Sequence, residues 1–557
     1  MTDYFQLLKD NVKIMNDLSG FDVVMVCCSS SKQAHFWQRR LEKCRGSVLP
    51  KNCIVLSVEE DWRGGAGNAL GTLYAFQKAS ALAQKLYSRD IMAELIAGSI
   101  SVGLYHTAGK GTRLAPLPGS ENNNKPGVKL PATISLEGKS VPMTILEAVI
   151  KQTGCYAKSR AGRLSVFWGD QVFIPTAPAE YTVTHHADIL CSLGPMPSEE
   201  VWKEKGMDKY GLIAQNNAGN AAQVEKVQHS TAVQLLASLG EIQAVGVSLG
   251  SFSVSHQLLS ALLEEFAPEL RAKEGKLDSD PHLWMPMTLE KASYQQIMAQ
   301  KGIDAQTSGA HFDRIAAMMA KFNAANASCK LRLFGAVDVG QGVCWWDYGQ
   351  LRLFQANTLM MTKNTKEADL MRSFLGMPEG TRQSDCTITN TNVDDMSCIS
   401  SSAVGAEGGV AGFVRSSVLS NVRCNYIEAE GCVLINVTAD RIIAKPGSII
   451  YNYTHSDAEG SGETVSTADG DVIVGVFAED GSQTIIRSHL DTDGGKVWDG
   501  AVHGNALSFS GVYDANAEAC PTKLQDLIAC AHDSLWQRVS ARPLTPSKKL
   551  KTSEESH

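Results

Sequence analysis

Residues 107–117 read Thr107-Ala108-Gly109-Lys110-Gly111-Thr112-Arg113-Leu114-Ala115-Pro116-Leu117, and Lys125-Pro126 and Leu130-Pro131 follow. Two glycines placed directly after an apolar run let backbone N–H groups approach phosphate oxygens closely. Arg113 adds a planar guanidinium fork suited to a departing pyrophosphate, and Lys125 a point charge for the phosphates. A lone G-x-G after a strand is a common turn. The extended string with both cations is specific, and its chemistry is the binding and transfer of phosphate.

A loop of this kind needs a strand to deliver it. Residues 99–107 form that strand, and the segments before it alternate in the same way. Residues 21–28 (FDVVMVCC) and 53–58 (CIVLSV) are short β-branched apolar runs of the type found in buried parallel strands. Residues 33–44 between them have helical period, and Gly64-Gly65-Ala66-Gly67-Asn68 opens another helix. A helix over 144–153 and a strand over 164–168 continue the alternation. This predicts a Rossmann-like α/β domain over 1–375, a mostly parallel sheet with helices on both faces.

Residues 376–411, rich in Ser, Thr, Asn, Asp and Gly, read as a linker or irregular loop. Beyond them Val418, Val422, Ile427, Val433, Val437, Ile442 and Ile449 recur every four to seven positions. That spacing predicts a left-handed β-helix-like domain over 412–540 with a terminal helix; a β-sandwich of short strands is the alternative. A polar tail, expected to be disordered, occupies 541–557.

The formal charge of −8 across 557 residues argues against a general nucleic-acid binder, which needs a basic face. No segment offers 18 consecutive apolar residues, so no membrane span is expected. The 14 cysteines show no C-x-x-C pair and no Cys/His spacing typical of zinc, and residues 1–16 have no long apolar run. The chain therefore reads as cytoplasmic, with free thiols.

On the loop and its two cations the chain resembles the sugar-nucleotide pyrophosphorylases, whose signature is approximately G-x-G-T-R-L-x-P-L followed by a lysine near a proline. The resemblance implies that Ala108, Gly109, Gly111 and Thr112 bind the nucleotide and that Arg113 and Lys125 are catalytic, with Lys129 in reserve. It also implies Mg²⁺ and two carboxylates to hold it. Matched residue by residue, these are Asp170, closing Val166-Phe167-Trp168-Gly169-Asp170, and Asp347, within Trp345-Trp346-Asp347-Tyr348-Gly349. Tyr210-Gly211-Leu212-Ile213 and Val224-Glu225-Lys226 are similar to segments that line the family's sugar-phosphate pocket. There Gly211 lines the pocket, Glu225 accepts hydrogen bonds from sugar hydroxyls and Lys226 holds the phosphate.

Most of the family carries a strand–helix–strand unit after the signature. Here such a unit, residues 21–85, precedes it and contains Gly65-Ala66-Gly67-Asn68-Ala69-Leu70. This reads as a permuted order of one sheet, with Gly65, Ala66, Gly67 and Asn68 facing the nucleotide base. A leading βαβ unit and a C-terminal β-helix most resemble the fucose-1-phosphate guanylyltransferases. The implied reaction joins a nucleoside triphosphate to a sugar-1-phosphate and releases pyrophosphate. Its partners would be GTP with a fucose-1-phosphate-like sugar, or UTP with a hexose-1-phosphate. The C-terminal domain is a candidate homo-oligomer contact.

Two other classes stand beside this one. A catalytically silent scaffold or regulatory subunit would keep the fold, though Arg113, Lys125, Asp170 and Asp347 are all present. An acyl-transferring β-helix would want a histidine base, and residues 412–451 contain none. His106 is expected to pack or hydrogen-bond, His185-His186 to point to opposite faces, and Asp278-Ser279-Asp280-Pro281-His282 to form an exposed turn.

Overall fold

The computed structural model describes residues 4–236, 239–407, 410–455 and 464–541. It divides into two compact units, residues 1–109 with 146–346, and residues 110–145 with 347–557. The boundary expected near residue 375 falls inside the second unit, which also takes residues 110–145 out of the expected catalytic domain. Among the described residues no helix is long and apolar enough to cross a membrane.

Among the described residues the main sheet of the first unit has nine strands: β1 Val23–Cys28, β2 Ile54–Glu59, β3 Val102–His106, β4 Arg163–Trp168, β5 His185–Gly194, β6 Gly211–Asn216, β7 Ala221–Glu225, β8 Ile242–Ser255 and β9 Arg332–Asp338. They form one mixed sheet in the order β7-β6-β8-β4-β3-β1-β2, with β5 pairing both β8 and β9. The run β2-β1-β3-β4 is parallel throughout. All six residues of β1 are buried, which explains its uninterrupted apolar sequence. Parallel neighbours need crossovers, supplied by helices Ser31–Lys43 and Gly67–Tyr87. The first of these is capped by Ser30, whose side chain accepts from the Gln33 N–H at 3.2 Å.

One ionic cluster lies inside this sheet. Asp188 of β5 meets Arg160 at 3.2 Å and Arg163 at 3.1 Å, all three side chains 4% exposed or less. Arg163 also donates to the carbonyls of His185 and His186, and the Ser253 hydroxyl donates to Asp188 at 3.0 Å. One carboxylate thus serves as shared counter-charge to two guanidinium groups where β4, β5 and β8 meet.

The second unit is a strand-rich domain. Strand Val418–Glu430 lies parallel to Val433–Ala444, with Val418 opposite Val433, Val422 opposite Val437 and Tyr426 opposite Arg441. Each pair is fifteen residues apart, so one rung of three short pairings is followed by another directly above it. Asn421, Asn436 and Asn452 turn successive corners with φ of +53°, +55° and +49°, a conformation Asn tolerates better than most residues. Asn436 donates to the Asn452 side chain at 2.6 Å, joining two of these corners. Residues 376–411, expected to be a linker, instead carry short strands at Gln383–Ser384, Thr387–Ile388, Thr391–Val393, Cys398–Ser400 and Ala403–Val404 that pair in the same sheet. Their polar composition misled because strands of two or three residues are too short to show an apolar period, and among them only Cys398–Ser400 and Val404 are buried. The final helix runs Pro521–Ser540, and the tail expected beyond it lies outside the described residues from 542 onward.

The Asp188 cluster yields a stability prediction. Asp188→Ala leaves two buried guanidinium groups without a counter-charge and should cost about 3–5 kcal/mol, read from urea unfolding. A loss under about 1 kcal/mol would mean the cluster is hydrated and this account of it fails.

Candidate functional site

Because β2, β1, β3 and β4 are parallel, their chains all leave the sheet at one edge. The Glu60 N–H donates to Cys28 O at 2.8 Å, the Thr107 N–H to Cys27 O at 3.0 Å and the Gly169 N–H to His106 O at 3.1 Å. The register sets His106 opposite Trp168, so Thr107-Ala108-Gly109 and Gly169-Asp170 leave side by side. The connection also reverses here, since β1 has β2 on one flank and β3 on the other. Such reversals open a crevice at the carboxyl ends of strands, the usual binding place in open α/β sheets. Strand Gln171–Ile174, directly after Asp170, pairs with Cys344–Asp347.

The Gly65–Asn68 loop stands at this edge at the N-terminus of helix Gly67–Tyr87, and the protein's own carboxylates hold its amides. The Ala66 N–H donates to Glu60 Oε1 and the Asn68 N–H to Asp278 Oδ1, each at 3.0 Å. In return the Ser279 N–H donates to Asn68 Oδ1 at 2.5 Å, and the Leu277 N–H to Ala66 O at 2.9 Å. Gly67 has φ +74°, and a Cβ there would stand 2.4 Å from Leu277 O. The close approach of two backbones is why this position is glycine. The negative ends of Glu60 and Asp278 also suit the positive end of the helix.

Residues 278–282, expected as an exposed turn, instead tie the loop to the sugar-phosphate candidates. Asp280–Trp284 is one turn of π-helix, and Ser279, Leu283 and Trp284 are buried. A Cβ at Gly211 would lie 3.5 Å from Asp280 Oδ2 and 3.5 Å from Gln223 Nε2, so strands β6 and β7 present Gly211, Gln223 and Glu225 around Asp280. Glu225 is ion-paired with Lys301 and, at 3.1 Å, with Lys226. Burial by itself would raise its pKa, but the two ammonium groups outweigh that and hold it below the usual carboxylate range. Asp280 goes the other way: burial, reinforced by the Glu225 charge, pushes it up to about 6.

In the second unit Gly111 has φ +64°, and the stem of Lys125 runs across it, 2.9 to 3.2 Å from where a Cβ would be. The two signature residues are thus in mutual contact. Thr112 and Arg113 are seated against the Asp493-Gly494-Gly495 turn; a Cβ at Gly494 would stand 2.4 Å from Thr112 O. Lys110 Nζ lies 5.2 Å from the Tyr513 ring centre, on a cleft that Gly111, Pro116, Trp498 and Phe509 also line. Lys129 is committed elsewhere: it is ion-paired with Glu121, and its N–H donates to the Tyr451 hydroxyl at 2.7 Å. Asp347 accepts from the Gly349 N–H at 2.6 Å through Oδ1. Trp346 is fully buried, whereas Trp345 is exposed.

Reasoning from the sequence missed Asp278 and Lys301 as partners of the loop and of Glu225. Nothing in local spacing joins positions so far apart along the chain. His185 and His186 are both buried and bond to different neighbours, Thr184 and Ser255 respectively. All 14 cysteines are free thiols, most of them buried.

The raised Asp280 carboxyl gives a pH prediction. Its ordinary value of 3.8 applies unfolded, so between 3.8 and about 6 the native chain binds more protons. Stability contributed by this group is therefore present below 3.8 and lost as pH rises to about 6. Asp280→Asn should remove that slope from urea midpoints taken across the window; an unchanged slope would refute the assignment. No family model matches the chain, and no curated protein matches it either.

Proposed function

We propose that this protein is a Mg²⁺-dependent sugar-1-phosphate nucleotidyltransferase. The observation that carries the reading is the side-by-side exit of Thr107-Ala108-Gly109 and Gly169-Asp170 at the carboxyl edge of the parallel strands. A phosphate-binding loop and a carboxylate leaving adjacent strand ends at a point of reversed connection are what transfer from a bound triphosphate requires. The contact between Gly111 and the Lys125 stem adds to this, since it keeps a cation against the loop.

The reaction is in-line attack by a sugar-1-phosphate oxygen on the α-phosphorus, with pyrophosphate leaving opposite. The nucleophile is already anionic near neutral pH, so no side chain has to remove a proton. Catalysis then reduces to positioning and charge stabilisation. Arg113 and Lys125 stabilise charge on the leaving pyrophosphate and the α-phosphate, and Gly109, Gly111 and Thr112 supply backbone donors. Asp170 and Asp347 fit Mg²⁺ in kind, as hard oxygen donors; Gly349 orients Oδ1 of Asp347 and leaves Oδ2 to a cation. Bound there, Mg²⁺ would neutralise phosphate charge as a Lewis acid. Gly211, Glu225, Lys226 and Asp280 form the sugar end. Lys125, whose stem touches Gly111 of the signature loop, is the preferred phosphate cation. We read the coil of the second unit as left-handed, from its short rungs and Asn corners.

Pyrophosphate release across four nucleoside triphosphates and common sugar-1-phosphates tests the reading directly; silence across the grid with folded protein and Mg²⁺ would favour a scaffold. In the active combination Lys125→Ala should lower kcat by roughly 10²-fold. Gly111→Ala should lower it in the same direction, because the new methyl group displaces the Lys125 stem. Near-normal turnover in a folded Lys125→Ala enzyme would remove Lys125 from the mechanism. Asp347→Asn should abolish Mg²⁺-dependent turnover, and an unchanged metal titration would reject it as a ligand.

A further inference from the structure

Three side chains at the carboxyl edge have no part in the reaction above. Cys27 is the buried penultimate residue of β1, Glu60 follows β2, and His106 closes β3. The Cys27 sulfur, a Glu60 carboxylate oxygen and a His106 ring nitrogen all lie within 4.8 Å of one another. Cys27 Sγ is 3.7 Å from Glu60 Oε2. Tetrahedral zinc, with bonds of about 2.3 Å to sulfur and 2.0–2.1 Å to nitrogen or oxygen, sets its ligand atoms about 3.3–3.7 Å apart. Small side-chain movements therefore bring all three onto one ion.

The neighbours orient these groups as metal ligands are oriented. Glu60 Oε1 accepts from the Ala66 N–H at 3.0 Å, which turns Oε2 toward Cys27. The Thr72 hydroxyl donates to Asn68 O at 2.6 Å, so at its 2.8 Å contact with His106 the ring Nε2 is the donor. Nδ1 is then the ring's lone-pair nitrogen, the tautomer logic of a ligating imidazole. Space is also kept open: a Cβ at position 71 would stand 2.6 Å from Glu60 Oε2 and 3.6 Å from His106 Cε1. Glu60 and His106 are only half-buried, so an ion can enter from solvent.

We propose that Cys27, Glu60 and His106 form a zinc-class metal site, separate from the Mg²⁺ carboxylates. A thiolate, an imidazole and a carboxylate select a borderline-soft divalent ion over Mg²⁺. Binding forms a metal–sulfur bond and releases the Cys27 thiol proton to solvent. Three protein ligands leave the fourth position to water. Through Glu60, which also grips the Ala66 amide, the ion would stiffen the Gly65–Asn68 loop.

The test uses the full chain stripped with a chelator and titrated with Co²⁺ as a spectroscopic stand-in. A near-ultraviolet sulfur-to-cobalt charge-transfer band should grow to one equivalent per chain, and Zn²⁺ should abolish it. Cys27→Ser should lose the band while Cys28→Ser keeps it. His106→Gln should keep the charge-transfer band, change the visible d–d bands and weaken Co²⁺ affinity roughly 10–100-fold. Gly71→Ala, which keeps all three ligand residues but crowds Glu60 Oε2, should also weaken binding and serves if Cys27→Ser does not fold. No band in folded wild type, or a band that survives in Cys27→Ser, overturns the proposal. Neither readout depends on nucleotidyl transfer.

Discussion

The molecule's candidate chemistry depends on one constraint, that four parallel neighbours must all end at the same edge. Parallel hydrogen bonding sets Cys27 opposite His106 and His106 opposite Trp168, residues that local sequence never brings near each other. The reversal of connection at β1 then keeps helices from closing over that edge.

The edge is polar and also firmly held. Glu60 and Asp278 take the amides of the Gly65–Asn68 loop, while Asn68 returns a bond to the Asp278–Asp280 segment. A loop whose Gly65, Ala66 and Asn68 amides are already bonded is ordered before any ligand arrives, which lowers the entropy cost of binding. Asp280 and Glu225 illustrate how neighbours divide two carboxyls. Lys301 and Lys226 keep one ionised, whereas burial beside that charge holds the other's proton longer. Near neutral pH both carboxylates accept hydrogen bonds from hydroxyl groups, and only below about pH 6 does Asp280 also become a donor.

The second unit solves a different problem. Its rungs bury one stack of Val, Leu and Ile, with Leu419, Val422, Ile427, Leu434, Val437 and Ile442 in a common core. Parallel strands normally need long crossovers, but a coil reaches its next parallel neighbour simply by completing a turn. Corners are then the demanding positions, and Asn at 421, 436 and 452 meets them with positive φ, the last two also bonded side chain to side chain. The signature loop's Thr112 and Arg113 lean on a glycine turn of this same unit, at Gly494 and Gly495.

Much of this was legible in the sequence because it is local. Apolar runs such as residues 23–28 announce buried parallel strands because they depend on neighbours within a few positions, and the phosphate role proposed for Gly109–Arg113 rests on an equally local string. Val422, Val437 and Ile442 likewise declared a repeating strand architecture through spacing alone. What tertiary structure decided is which distant groups meet. Cys27 with Glu60 and His106, Asn68 with Asp278, Glu225 with Lys301 and Asp188 with two arginines each join separate elements. So do the strands hidden in 383–404, whose two- and three-residue lengths carry no periodicity until the rungs above give them partners. Hydrogen bonds and ion pairs act over a few ångströms of space, whereas sequence reading measures distance along the chain.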